Sequence, residues 1–151
     1  MILKQGNMWD VWDKADLFLI TANSALTKDG ALVMDSDIAV QARDRFPGLD
    51  KALGARISTI CGQHGLYHLL ISKRWPRAKF GLFQTKRSAS YRSTTDIIQG
   101  STTALKWWAA LHHDKSIHLN YPGIGNGGLV KDLVYPIIKW LPDNVMVWEN
   151  E

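Results

Sequence analysis

The stretch that most constrains this chain is Pro122-Gly123-Ile124-Gly125-Asn126-Gly127-Gly128-Leu129, with four glycines in eight residues. The run Ile117-His118-Leu119-Asn120-Tyr121 before it reads as a buried strand. After it, Leu129, Leu133, Ile137 and Leu141 recur every fourth residue, which predicts one face of a helix. A glycine-rich turn is therefore expected to join a strand to a helix N-terminus. Glycine at such a turn allows positive φ and close approach of a ligand to the backbone. The unpaired N–H groups and the dipole of a first helical turn attract anions. Two readings fit the glycines alone: a phosphate cradle, or a tight turn that needs glycine only for its geometry.

The rest of the chain decides what surrounds that turn. Leu17-Phe18-Leu19-Ile20 is uninterrupted and apolar, as a strand buried on both faces would be. It runs into Thr21-Ala22-Asn23-Ser24, and a Lys28-Asp29-Gly30 turn follows. Ile38, Ala39, Ala42 and Phe46 mark a helix closed by Pro47-Gly48. Ile2 to Gln5, Tyr67 to Ser72, Phe80 to Phe83 and Val145 to Trp148 read as further strands. Ile97, Ile98, Ser101, Leu105, Trp108 and Leu111 describe a long amphipathic helix, with Trp107 left on its flank. Strands mixed with helices predict one three-layer α/β/α domain over residues 1–151, with a mixed, mainly parallel sheet. Ligands of such sheets bind at the carboxyl ends of the strands. The segments Thr21 to Ile38 and Tyr121 to Leu129 both leave a strand there, so both are expected at one crevice.

Composition narrows the function classes. A net charge of +4 suits an anionic ligand, but it is not the clustered charge of a nucleic-acid-binding surface. The one cysteine, Cys61, excludes a disulfide-built secreted fold; it is read as a small buried hydrophobe in a reducing, cytoplasmic setting. No leader pattern and no apolar run long enough to span a membrane is present, so no membrane role is expected. Of the seven tryptophans most are expected in the core or in cleft walls. The five histidines (His64, His68, His112, His113 and His118) lack metal-binding spacing, and they are read as surface or core residues. Lys73-Arg74-Trp75-Pro76-Arg77 is read as a solvated turn. No metal or cofactor is expected.

Four segments, in order, resemble those of the macrodomain family of ADP-ribose-binding modules. Gly6-Asn7-Met8 is similar to the family's G-D-I/L, and Leu19-Ile20-Thr21-Ala22-Asn23-Ser24 to a strand ending in N-A-A-N. Met34-Asp35-Ser36-Asp37-Ile38-Ala39 resembles M-G-x-G-I-A, and Pro122-Gly123-Ile124-Gly125-Asn126-Gly127 resembles the P-x-I-G-x-G phosphate loop. Within the family the chain looks most like the branch of terminal ADP-ribose glycohydrolases, which includes DNA de-ADP-ribosylating antitoxins. Gln84-Thr85-Lys86-Arg87-Ser88-Ala89-Ser90-Tyr91 resembles that branch's threonine-lysine segment. The resemblance implies a ligand site of Asn7, Met8, Thr21, Ala22, Asn23, Met34, Asp35, Asp37, Ile38, Gly123, Ile124, Gly125, Asn126 and Gly127. It implies ADP-ribose, or DNA or protein carrying it, as partner. Asn23 would face the distal ribose; its other reading is an Asn that closes a turn on its own backbone. Lys86 would attack the anomeric carbon. A lysine nucleophile requires a depressed pKa, from desolvation or a cationic neighbour such as Arg87. The other reading of Lys86 is a solvated base at a strand end.

Three departures bear on activity. Asn7 replaces an aspartate that recognises the adenine amino group; it accepts the same hydrogen bond without charge assistance. Asp35 and Asp37 replace glycines that admit the diphosphate. Each like-charge pair at about 4–5 Å costs roughly 3–4 kcal/mol at an effective dielectric near 20. Two would cancel most of the roughly 8 kcal/mol of micromolar binding. Four arrangements escape this. The aspartates point to solvent and cap the helix; they are protonated or bridged by a metal; the ligand offers a hydroxyl or a cation there; or the site is lost. Third, the branch's aspartate after the phosphate loop is missing, and Asp132 is the nearest carboxylate. The sequence therefore leaves open hydrolysis through Lys86, a non-catalytic nucleotide-like binding module altered by Asp35 and Asp37, and a degenerate domain whose exposed tryptophans bind protein.

Overall fold

The computed structural model describes every residue except 63, 89, 90 and 151. Ala89 and Ser90, part of the stretch compared with the threonine-lysine segment, thus lie outside the described residues. Strand β1 spans Ile2–Gln5 and β2 Leu17–Ala22. Helices α1 (Asp37–Arg45) and α2 (Leu49–Cys61) follow. Then come β3 (Leu69–Ile71), β4 (Phe80–Gln84), α3 (Thr95–Leu111), β5 (Ile117–Asn120), α4 (Lys131–Ile138) and β6 (Val145–Glu149). These strands form one sheet in the order β1-β6-β5-β2-β4-β3. Every neighbouring pair is parallel except β3 with β4.

Alternation along the strands builds two cores. In β2, Phe18 and Ile20 join α1 and α2 on one face, with Ala39, Ala42, Leu53, Ile57 and Cys61. Leu17 and Leu19 join α3 and α4 on the other, with Ile98, Leu105, Val134 and Ile138. The four residues of this run are fully buried, which explains why β2 has no polar face. The result is the expected three-layer α/β/α sandwich with a mixed, mainly parallel sheet. Trp9, Trp12, Phe18 and Phe46 form an aromatic cluster under α1. Trp107 and Trp140 are instead 69% and 68% exposed.

Three expectations need correction. Helix α2 was not foreseen. Leu49, Leu53, Ile57 and Cys61 are spaced by four and lie along it. The helix after the glycine turn starts only at Lys131, so Leu129 and Leu141 fall outside it and the four-residue series does not describe its face. Val134 and Ile138 are buried there, while Leu133 is exposed. Leu111, at the last turn of α3, is exposed as well.

His118 on β5 is buried beside Trp148, whose Nε1 donates to its Nδ1 at 2.9 Å. Burial, with Lys4 nearby and against the pull of Asp16, lowers the imidazole pKa to about 4. Between that value and the ordinary 6.5 the unfolded chain binds a proton that the folded chain refuses, so stability falls as pH drops through this window. The loss is about 2 kcal/mol by pH 4.5, allowing for partial screening. His118→Gln keeps an acceptor for Trp148 and removes the titration. Urea melts at pH 7 and 4.5 should therefore show a smaller acid loss in that variant; an equal loss would refute the assignment.

Candidate functional site

The parallel order places the carboxyl ends of β2, β4, β5 and β6 on one edge of the sheet. The chain leaves β2 toward β4 on one side and arrives at β5 on the other, so a crevice is expected between β2 and β5. The backbone ladder between these two strands ends at the pair Leu19 and Leu119. Beyond it the Asn120 side chain takes over, accepting from Thr21 N at 2.9 Å and donating to Thr21 Oγ1 at 2.8 Å. The strands diverge around this strut, and a cleft of about 290 Å³ opens above it.

One wall is the segment after β2. Thr21, Ala22 and Asn23 line the cleft, followed by Met34, Asp35, Asp37 and Ile38 at the start of α1. Asn23 is buried. Its Oδ1 accepts from Ala25 N at 2.9 Å and its Nδ2 donates to Val33 O at 3.2 Å. Its amide thus closes the loop on its own backbone and keeps a second N–H for another partner. Tyr67 Oη holds the Asn23 carbonyl at 2.9 Å, and burial pushes that phenol well above its ordinary pKa. Ser36 is the N-cap of α1 and makes no side-chain cap bond, Asp37 opens the helix, and both Asp35 and Asp37 are exposed on the rim. An acid at the first helical position interacts favourably with the dipole. Their exposure also means that solvent screens them far more than an effective dielectric of 20 implies.

The opposite wall is the glycine turn. Gly123, Gly125 and Gly128 have φ of +76°, +62° and +79°, a region other residues enter at a cost. Gly125–Gly127 forms a short 3-10 turn closed by Gly128 N on Gly125 O at 2.9 Å. The expected direct passage from glycines into an α-helix is thus replaced by this turn, whose leading N–H groups have no partner within it. Gly123, Ile124, Gly125, Asn126 and Gly127 all line the cleft.

The floor between the walls carries Lys86, buried at 6% exposure. It is placed by Gln84, which is fully buried with its side chain saturated. Gln84 Oε1 accepts from Tyr67 N and His68 N, and its Nε2 donates to Gly65 O and Lys86 O. Arg87 points away, with Nε on the His64 carbonyl at 3.1 Å. Asp132 is exposed in the first turn of α4 and is absent from the lining. Glu149 at the end of β6 is there instead, paired with Lys131.

Asn7 and Met8 lie outside the lining. Asn7 Oδ1 accepts from Trp9 N at 3.0 Å and caps a short 3-10 turn, and Met8 is buried in the core. The preceding Gly6 N donates to Glu149 O at 2.9 Å, which places this segment beside one end of the cleft. Sequence reasoning missed Thr85, Ser93, Asn120, Lys131, Trp148 and Glu149, all in the lining. The polar residue at the end of each strand was a usable signal for Asn120 and Glu149. Among the described residues no group of three or more His, Cys, Asp or Glu is arranged to hold a metal, and no helix is long and apolar enough to cross a membrane.

No family model and no curated protein sequence matches the chain. Solved structures do. The macrodomain of Thermus aquaticus DarG is similar at TM-score 0.68 and 21% identity, covering 99% of this chain and 97% of that one. The macrodomain of Mycobacterium tuberculosis DarG is similar at TM-score 0.68 and 19% identity, with 99% of each chain covered. Thermosipho africanus DarTG in complex with ADP-ribose is similar at TM-score 0.67 and 19% identity, covering all of this chain, which spans 42% of that protein's length.

Proposed function

We propose that this chain, whose fold is that of a macrodomain, binds ADP-ribose, free or carried on DNA or protein, and that Lys86 supports cleavage of the glycosidic link in the modified macromolecule. The observation that carries the reading is the convergence of the segment after β2 and the glycine turn on one cleft, with Asn23 and Gly125 in a common lining. Its volume of about 290 Å³ suits a small-molecule ligand held partly open to solvent. The glycine turn takes the diphosphate through its backbone N–H groups. Asn23 offers its remaining amide hydrogen to the distal ribose. Asn7, beside the Glu149 end, takes the adenine edge. A structural neighbour in complex with ADP-ribose supports the same ligand here.

Calorimetry with ADP-ribose tests this directly. Asp35 and Asp37 are exposed, so each opposes the diphosphate by about 1 kcal/mol rather than 3–4. Asp35→Gly/Asp37→Gly should therefore tighten binding by about thirtyfold. Absence of binding in both proteins would refute the reading. Weaker binding in the variant would instead favour a module whose ligand presents hydroxyl donors to these carboxylates.

A further inference from the structure

Among the described residues, the lining contains one buried side-chain polar atom without a hydrogen-bond partner. Ser93 is 4% exposed, and its Oγ has no hydrogen-bond partner among the described residues. Buried hydroxyls are normally paired, and each orphan calls for a physical reason. Thr102 Oγ1 on α3 is also buried without a partner, but it lies outside this cleft, and two hydroxyls nearer Ser93 are paired. Thr94 Oγ1 accepts from Ile97 N and caps α3, and Ser101 Oγ donates to Gln84 O at 2.6 Å. Ser93 is not misplaced by a loose loop either. Its N–H donates to Gly127 O at 2.8 Å, and the next residue, Thr94, donates to Thr85 O at 3.0 Å. These two bonds fix Ser93 between the glycine turn and the strand end that carries Lys86.

The contact with Gly127 is close. A Cβ added at Gly127 would lie 2.5 Å from Ser93 Oγ, so the absence of a side chain at Gly127 is what leaves room for this hydroxyl. Ser93, Gly125, Gly127 and Lys86 share the cleft lining. A buried donor without a partner, pinned against a turn whose leading N–H groups are also unpaired within it, is the arrangement an oxyanion completes.

We infer that the Ser93 hydroxyl donates a hydrogen bond to a phosphoryl oxygen held at the glycine turn, making Ser93 a ligand-contacting residue of the cleft. This deepens the ADP-ribose reading and rests on it only for the choice of phosphate ester. The ligand class it requires is a phosphate or diphosphate.

The test is Ser93→Ala, with binding of ADP-ribose, ADP and inorganic pyrophosphate measured by calorimetry and the ligand-free protein followed by thermal melting. Binding of the phosphorylated probes should weaken about tenfold, as for a lost charge-assisted hydrogen bond. The ligand-free melting temperature should hold or rise, because an unpaired buried hydroxyl has been removed. Equal affinities in the two proteins would overturn the inference while leaving the ADP-ribose reading intact. A lower melting temperature with unchanged affinity would overturn it too, in favour of a structural hydroxyl. Ser93-dependent binding of ADP or pyrophosphate without binding of ADP-ribose would sustain the inference and defeat the ADP-ribose reading. A wild-type chain that binds none of the three defeats both.

Discussion

Release of ADP-ribose from ADP-ribosylated DNA should fall at least about 10³-fold when Lys86 is replaced with alanine, the scale on which removal of a covalent nucleophile acts. In the proposed step the Lys86 amine, as the free base, forms a C–N bond to the anomeric carbon as the bond to the acceptor breaks, and the acceptor departs with the proton that the new C–N nitrogen gives up. Water then frees the sugar and returns the amine. Removing the amine removes the bond-forming atom, whereas the glycine turn and the segment after β2 still hold the ligand. Affinity for ADP-ribose should therefore change far less than release. Gln84 Nε2 donates to the Lys86 backbone carbonyl, a bond the substitution leaves in place, and a melt of the variant checks that the fold is kept. Release that persists unchanged excludes the lysine route. Release absent from the unaltered chain leaves the binding module as the function. An acid that assists this step would come from the carboxylates of the lining. Asp35, Asp37 and Glu149 are the carboxylates in the lining, whereas Asp132 is not among them.

The second large effect concerns stability. Gly54→Ala should destabilise the fold by about 3 kcal/mol, the upper end of what overpacking costs, because the added Cβ meets backbone that cannot move aside. In a chain of this size that corresponds to a fall of roughly 10 °C in melting temperature. Alanine is normally the better helix former by about 1 kcal/mol, so propensity alone predicts the opposite sign. What decides is the space at that face of α2. A Cβ at Gly54 would sit 1.9 Å from Gly30 O and 2.8 Å from Leu32 N, both backbone atoms. Leu32 N is itself committed to Asp50 O at 2.8 Å, so the loop cannot retreat without losing that bond. The loop carries the chain from β2 to α1, and the damage should extend to ligand binding. A melting temperature equal to or above that of the parent would refute this packing argument.

The parts of this molecule that were legible in its sequence are those set by local pattern. The unbroken run Leu17 to Ile20 announces a strand with two apolar faces because no other environment accepts it. Three of the four family-like segments meet at one cleft because they follow β2 and β5 on the same edge of a parallel sheet, whereas Gly6 to Met8 stays outside its lining. Other features depend on partners distant in the chain. The spacing of Leu49, Leu53, Ile57 and Cys61 was readable, yet it was obscured by the shorter helical pattern just before it. The series from Leu129 to Leu141 misled because the glycine turn delays the start of α4, so its periodicity bridged two different structures. Nothing near Asn7 in the sequence reveals that its carbonyl caps a turn. The place of Glu149 in the cleft depends on strand order, and the isolation of the Ser93 hydroxyl depends on Gly127, far along the chain.

The Asn120 strut has a mechanical consequence. Where the ladder between β2 and β5 stops, the separation of the two walls is fixed by one short side chain gripping both the N–H and the hydroxyl of Thr21. The walls are thus braced at their root, which favours a mouth of fixed width over a hinged jaw. Selection among ligands would then fall to size and to charge at entry, where the rim carboxylates of Asp35 and Asp37 stand.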